Sequence, residues 1–245
     1  MKDQYIQKFL ENLTWYEAKE VMNNDSVIVI PLGASAKEHG PHLKLNNDFL
    51  MAEYFKKEVA KKLNVLIAPT VNYHFYPAFV DYPGSTHLRL ETARDLIVDI
   101  CYSFSRHGPK KFYVINTGIS TLAPLKLAAE ILDTDGIILK FTNLDNLETP
   151  ELKKIIQQEG GSHADEVETS LMLFIAPEHV DMSLAKKDYH EGKGKFTLNP
   201  ENKNAIYSPT GIWGNATLAT REKGEIVAKT YSKGIISDIE LLIQE

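Results

Sequence analysis

The sequence of 245 residues predicts an α/β fold in three layers, with a mainly parallel sheet between two layers of helices. Short, wholly apolar runs rich in β-branched residues, such as residues 27–32, have the composition of strands buried on both faces. These runs alternate with amphipathic stretches of ten or more residues, the pattern of βαβ units. Because we find no linker, internal repeat or low-complexity tract, we expect one domain over residues 1–245.

The predicted elements follow one another along the whole chain. Strands are predicted at residues 26–32, 65–71, 112–115 and 136–141, and helices at residues 14–22, 48–63, 92–106, 123–132, 149–159, 162–175 and after residue 220. Thr14 and Glu17 have the spacing of a capping box, and Thr149 places an N-cap before Pro150 at the first helical position. The lysine-rich residues 181–209 contain few apolar side chains and are predicted to be a surface loop.

Composition excludes several classes of protein. Hydrophobic residues at 43% and charged residues at 24% are typical of a globular chain, and a net charge of −6 gives no basic stripe for nucleic acid. We find no apolar run long enough for a membrane span, and the mixed-charge start MKDQYIQKFLENL lacks the apolar core of a signal peptide. A single cysteine, Cys101, excludes an internal disulfide and a thiolate zinc cluster. We therefore expect a cytoplasmic enzyme or binding protein whose partner is a small molecule.

The main functional signal lies in residues 27–49. A predicted buried strand is followed by a turn at Gly33, and four potential ligands come within the next fifteen residues. These are Glu38, His39, His42 and Asp48. Sites in open parallel sheets lie beyond the carboxyl ends of the strands, which favours a functional site here. The alternative is that these polar side chains are simply solvated in a loop.

The segment GASAKEHGPHLKLNND shifts this balance, because it resembles the first metal-binding motif of the creatininase (creatinine amidohydrolase) family, GS-x-EQHGPHLPL-x-x-D. The resemblance implies a creatininase-like αβα fold and a hydrolase that cleaves an amide, cyclic amide or formamide C–N bond of a small molecule. It also implies a two-metal site whose ligands include the Glu, His and Asp of this motif. His39 and Asp48 match the His and Asp, whereas Lys37 stands where the family has Glu.

Further segments resemble the family in the same order along the chain. They are GSHADEVETSLML at residues 161–173, YPGSTHLRLET at 82–92 and GIWGNATLATREKG at 211–224. In the first of them, His163 matches a histidine implicated in substrate contact and Glu168 matches a Glu directed at the metal centre. Asp165 replaces a family glycine, and the helix dipole explains an acid there. Glu168 is at the edge of an apolar stripe, where burial favours a functional carboxylate.

The chain departs from the family at residues 115–125, INTGISTLAPL, where the family has NGHGGN. Gly118 stands where the family has a histidine ligand, and Thr121 stands where it has an asparagine. Together with Lys37, two ligands of one metal position are absent, since an ammonium has no lone pair and glycine has no side chain. The family's two-metal site cannot be assembled in the usual way from these residues.

Three hypotheses for function follow. The first is a hydrolase with one divalent metal ion (zinc, manganese or iron) held by His39, Asp48 and Glu168, with His163 passing a proton to the leaving group. The second is a metal-free enzyme acting on a carbohydrate or polyol, with Glu38, His39, His163 and Glu168 as acids and bases. The third is a non-catalytic member that binds a small molecule or assembles with an active homologue. The resemblance further implies a homo-oligomer, since family members commonly form hexamers.

Two features leave alternatives open. Lys37 either places its ammonium near the vacated metal position, within reach of Asp48, as a further residue of the site, or points to solvent. The loop after residue 72 is rich in aromatic side chains that either line a pocket for a flat ligand or cover the core. These are Phe75, Tyr76, Phe79 and Tyr82.

Overall fold

A computed structural model describes residues 8–192 and 194–245 and has a central sheet of four parallel strands. The strand order is β2–β1–β3–β4. The strands are β1 Val27–Leu32, β2 Leu66–Ile67, β3 Lys111–Asn116 and β4 Ile138–Phe141. β1 pairs with β3 along its full length, from Val27 opposite Lys111 to Leu32 opposite Asn116. The predicted parallel sheet is confirmed.

Helices cover both faces of this sheet. In the described chain they are α1 Trp15–Val21, α2 Asn47–Lys62, α3 Leu90–Ser105, α4 Leu122–Asp133, α5 Pro150–Ile155, α6 Glu166–Ile175 and α7 Arg221–Gln244. Alternate residues of β1 face opposite sides, because successive side chains of a strand do so. Val27 and Val29 pack in a core with α2, α6 and α7, and Ile28 and Ile30 pack in another core with α3 and α4. This is the predicted αβα fold.

Cap signals read from the sequence are present at three helices. Thr14 and Glu17 form the complete capping box of α1, Thr149 accepts the Leu152 N–H at the start of α5, and Thr220 caps α7. Among the described residues, the helices are all too short or too polar to cross a membrane.

The predicted strand at residues 65–71 is shorter than expected. Regular pairing covers only β2, and Val71 then forms an isolated bridge with Leu32. Pro69 lies between the two and has no N–H for the ladder, which explains the interruption.

Helix α5 ends at Ile155, four residues earlier than predicted. The N–H groups of Gln157 and Gln158 donate instead to the carboxylate of Glu166, with distances of 2.7–3.1 Å. A buried acceptor from the next helix thus takes the donors that a longer helix would use.

The prediction that Ser162 begins the next helix is wrong. Asp165 is the N-cap of α6, and its carboxylate accepts the N–H groups of Val167 and Glu168. Ser162 and His163 instead pair with the backbone of Trp213 in an antiparallel bridge. This long-range pairing fixes His163 in an extended segment just before the helix.

Residues 181–209 contain more structure than the predicted surface loop. They include β5 Lys187–Asp188, which pairs with β8 Gly214–Asn215, and the parallel pair β6 Phe196–Thr197 and β7 Ile206–Tyr207. Phe196 is buried and stacks on Phe79 with ring centroids 5.2 Å apart. Phe196 thus packs this lysine-rich segment against Phe79 and lines the cavity described below.

Candidate active site

A cavity of about 520 Å³ lies beyond the carboxyl ends of β1 and β3. Lys37, in the loop after β1, lines one part of it, and Thr117 and Gly118, directly after β3, line another. The wall also includes Tyr76, Phe79, His163, Glu168 and Trp213. The cavity thus combines aromatic surface with a small number of charged groups, as small-molecule sites do.

Lys37 is turned inward rather than to solvent. Its ammonium lies 2.6 Å from Oδ2 of Asp48, and its side chain is only 9% exposed. Burial alone would lower the pKa of Lys37, but the charges of Asp48 and Glu168 outweigh burial and hold this pKa above its ordinary value. The solvent-facing alternative for Lys37 is therefore wrong.

Asp48, at the start of α2, is shared between two donors. Oδ1 lies 2.8 Å from Nε2 of His39, and Oδ2 contacts the ammonium of Lys37. Burial would raise the pKa of Asp48, but the charges of Lys37 and His39 outweigh burial and hold the pKa well below its usual range. The side chain is a carboxylate with both oxygens engaged.

His39 faces an acceptor at each ring nitrogen. Nδ1 lies 2.9 Å from the carbonyl oxygen of Lys37, and Nε2 faces Asp48. A neutral imidazole has one N–H only, so one of these contacts places a lone pair against an oxygen. Either a second proton or a metal ion bound at the lone pair would resolve this conflict.

His163 lies between two carboxylates. Its Nε2 is 3.0 Å from both the carbonyl oxygen and Oε2 of Glu38, and its Nδ1 is 3.8 Å from Oε2 of Glu168. The His163 ring stacks on Phe79 and lies 4.9 Å, between centroids, from the ring of His39. The proton therefore belongs on Nε2, where two oxygens accept it, and the lone pair of Nδ1 faces Glu168.

Glu38 is buried beneath this pair. Its carboxylate also accepts the N–H of Gly40, and contact with His163 outweighs burial and lowers the pKa of Glu38. Glu38 is thus an anion that orients His163, as the carboxylate behind a catalytic or metal-binding histidine does.

The start of α6 presents Glu168 to the cluster. Ala164 has a left-handed backbone with φ of 49°, and its N–H donates to Oε2 of Glu168 at 2.6 Å. Asp165 caps the helix beside them, and burial together with the charge of Glu168 raises the pKa of Asp165 to about 6. The strained residue between His163 and Asp165 is thus hydrogen-bonded directly to Glu168.

Other sequence-predicted residues lie elsewhere. His42 bonds Oγ1 of Thr169 at 2.8 Å through Nε2, and burial lowers the pKa of His42 to about 4, so it is a neutral core residue. Of the four loop aromatics, Tyr76 and Phe79 line the cavity. Sequence reasoning missed Trp213, although its position between two glycines of a family-like segment was a usable signal.

The donors fit one divalent cation. Ligand atoms of His39, His163 and Glu168 all lie within 4.8 Å of one another, and two histidines with one carboxylate are a common three-ligand set for a catalytic metal. The predicted ligand Asp48 is outside this group, and its two oxygens contact Lys37 Nζ and His39 Nε2. The group contains His163 instead, a residue predicted from the sequence to transfer a proton.

The residues do not fit a second cation. The ammonium of Lys37 already contacts Asp48, and Gly118, at the other vacated position, offers no ligand. Three carboxylates, Glu38, Asp48 and Glu168, face this ammonium, which leaves two negative charges. One divalent ion or two additional protons would balance them.

Fold and site together define an αβα protein with a histidine–carboxylate centre at the carboxyl ends of parallel strands. A sequence profile described as creatinine amidohydrolase matches residues 11–239, so the chain belongs to the creatininase family. Creatinine amidohydrolase of Pseudomonas putida is 27% identical over 251 residues, covering 94% of this chain and 95% of the relative. The 3-dehydro-scyllo-inosose hydrolase of Thermotoga maritima is 25% identical, covering 97% and 83%. A solved structure described as Creatininase Mn matches with a TM-score of 0.80 at 25% identity, covering 95% and 97%.

Proposed function

We propose that this protein is a hydrolase of a small cyclic carbonyl compound and works with one divalent metal ion. The observation that carries the proposal is the meeting of His39, His163 and Glu168 beside the cavity, with ligand atoms within 4.8 Å of one another. The family membership supports hydrolysis, and the relative described as Creatininase Mn supports a divalent ion. Zinc, manganese and iron all suit imidazole and carboxylate ligands.

In this proposal His39, His163 and Glu168 hold the ion, which would supply an acidified water and polarise the substrate carbonyl. Glu38 accepts a hydrogen bond from Nε2 of His163, so the lone pair of Nδ1 points at the site. The carbonyl oxygen of Lys37 does the same for His39, since it accepts a hydrogen bond from Nδ1 and leaves the lone pair on Nε2, beside Oδ1 of Asp48, for the ion. Lys37 keeps Asp48 neutralised without a second ion.

The substrate class rests on the cavity and on the relatives. Creatinine and 3-dehydro-scyllo-inosose, the compounds named for two relatives, are both small rings with carbonyl groups. A volume of about 520 Å³ suits a molecule of this size. Tyr76, Phe79 and Trp213 provide flat surfaces against which such a ring packs.

The test begins with the metal content of protein purified without added metal or chelator. We expect close to one divalent ion per chain, and hydrolysis of at least one member of a panel of cyclic amides and cyclic ketones, detected as the mass gain of one water. Glu168→Gln should lose both, because an amide is a poor ligand. The exposed Glu178→Gln is the matched control and should keep both. Full metal occupancy and hydrolysis in Glu168→Gln would refute the proposal.

A second candidate is metal-free acid–base catalysis on a carbohydrate or polyol. It is favoured by the position of His163 between two carboxylates, with Glu38 at Nε2 and Glu168 near Nδ1. In that case protons replace the ion in balancing the charge, and turnover persists after treatment with EDTA. Ligand-dependent melting without turnover would instead favour a non-catalytic binding protein.

The predicted homo-oligomer stays a prediction. Light scattering would measure the mass of the particle in solution and so test it.

A further inference from the structure

The ammonium of Lys37 has unused donors at the cavity wall. An ammonium carries three N–H groups, and in the described chain the polar partner of Nζ is a single carboxylate oxygen of Asp48. The rings of Tyr76 and Phe79 flank Nζ, each with its centroid at 5.9 Å. Two donors are therefore left for a ligand in the cavity that Lys37 lines.

Tyr76 also lines this cavity, and its buried hydroxyl is a second unused donor. Tyr76 is only 3% exposed, and its hydroxyl has no hydrogen-bond partner within the described residues. A buried hydroxyl without a partner costs about 1–3 kcal/mol, so folded proteins seldom keep one without a use. Burial and the charge of Asp48 raise the pKa of Tyr76, which keeps the group protonated and able to donate.

We propose that Lys37 Nζ and Tyr76 Oη together bind an oxygen of the substrate that is anionic or becomes anionic during the reaction. This rests on the proposed function, because the ligand is taken to be the cyclic carbonyl compound that the site hydrolyses. When water adds to a carbonyl carbon, the π pair moves onto the carbonyl oxygen, and the proton of that water passes to a carboxylate of the site. Donors placed at such an oxygen are among the largest contributors to hydrolytic catalysis.

Charge in the crevice narrows the ligand class further. Glu38, Asp48 and Glu168 would repel a compact carboxylate, whose full charge is held on one small group. A ring enolate spreads its single charge over two oxygens, and a developing alkoxide gains its charge only during the reaction, so both are repelled less than a carboxylate. Ring ketones that form stable enolates are therefore the preferred ligands.

Paired probes test this directly. Dihydroresorcinol is a six-membered ring dione that is an enolate near neutral pH, and its vinylogous amide is a neutral analogue of nearly the same shape. Calorimetric titration of the protein as purified should show the enolate binding about tenfold or more tightly than the amide, as one or two charged hydrogen bonds predict. Tyr76→Phe should reduce this preference severalfold, and Lys37→Met should remove it.

Tyr82→Phe is the matched control, since its hydroxyl bonds the carbonyl oxygen of Ser208 at 2.7 Å and serves the fold. It should leave the preference unchanged. Tyr76→Phe removes an unpartnered hydroxyl, so the variant should fold even if Lys37→Met does not. Equal affinity for the two probes, no binding of the enolate, or an unchanged preference in Tyr76→Phe would overturn the proposal. Preference for the enolate without metal retention or hydrolysis would instead overturn the proposed function alone.

Discussion

The ammonium of Lys37 lies 2.6 Å from Oδ2 of Asp48, and the two side chains are 9% and 1% exposed. The other oxygen of Asp48 is held by His39. A buried carboxylate is expensive unless a cation or donors neutralise it. The residue that departs from the family motif is therefore the counter-ion of the aspartate that the motif retains.

Lys37→Met should lower the free energy of unfolding by roughly 3–5 kcal/mol, the range found when one partner of a buried pair is removed. The cost comes from Asp48, which would remain charged without its ammonium or would have to take up a proton. Urea unfolding of EDTA-treated protein, followed by circular dichroism, measures the difference.

The control for this prediction is an exposed pair. Lys229 and Glu225 are 2.7 Å apart, and their side chains are 72% and 42% exposed. Lys229→Met should therefore cost less than about 1 kcal/mol. If Lys37→Met unfolds at the same urea concentration as Lys229→Met, the ammonium of Lys37 is not neutralising Asp48.

The sheet and most of its helices could be predicted from the sequence because their signals are local. β-branched runs mark strands, and cap residues such as Thr14 and Thr220 mark helix starts. The errors arose where distant segments compete for backbone donors. The backbone of His163 is hydrogen-bonded to that of Trp213. The carboxylate of Glu166 accepts an N–H of Gln157 that a longer α5 would have used.

The site could be predicted in part. Motif register placed His39, Asp48, His163 and Glu168 near one another, and the structure brings all four into one cluster. The direction of the Lys37 side chain could not be predicted, because it depends on how the loop between β1 and α2 folds and places Lys37 against Asp48. The stacking of Phe79 on His163 likewise depends on a fold that no local pattern encodes.

Substitutions of Ala164 should change stability according to how well the new residue fits a left-handed backbone. Its φ of 49° is in the left-handed region, which costs an L-residue about 1–2 kcal/mol. Ala164→Gly relieves this strain but loses a buried methyl and gains chain entropy, so stability should stay within about 1 kcal/mol of the parent. Ala164→Val should lose more than about 2 kcal/mol, since a β-branched side chain fits this conformation poorly. Urea midpoints of the two variants measure both, and equal losses would show that the backbone is not strained.

His74 should make the fold acid-sensitive. It is fully buried, its Nε2 lies 2.9 Å from the carbonyl oxygen of Ala93, and burial lowers its pKa from 6.5 to about 4. Below about pH 6.5 the unfolded chain takes up a proton that the folded chain does not. The free energy of unfolding therefore decreases as the pH is lowered, by up to about 3 kcal/mol near pH 4.

His74→Gln tests this, because glutamine keeps a donor for Ala93 but does not titrate. Between about pH 7 and pH 5 the parent should lose about 2 kcal/mol more than this variant. His179→Gln, at a more exposed position, is the control and should follow the parent. Equal loss in all three proteins would assign the acid sensitivity to other groups, His42 among them.

The last prediction restores what the family motif has and this chain lacks. Lys37→Glu returns a carboxylate beside Asp48 in place of the ammonium, and Gly118→His returns an imidazole at the end of β3. Gly118 does not have a left-handed backbone, and a Cβ there would meet Oγ1 of Thr121 at 3.1 Å, so a small shift of Thr121 accommodates it. The double variant should bind one more divalent ion per chain than the parent, measured by elemental analysis after dialysis against zinc or manganese. Added ion should also raise its melting temperature more than that of the parent, because ligands that bind only the folded state stabilise it. Gly118→His alone keeps the ammonium and should gain no ion. An unchanged stoichiometry in the double variant would mean that Lys37 does not occupy the position of a lost metal ion.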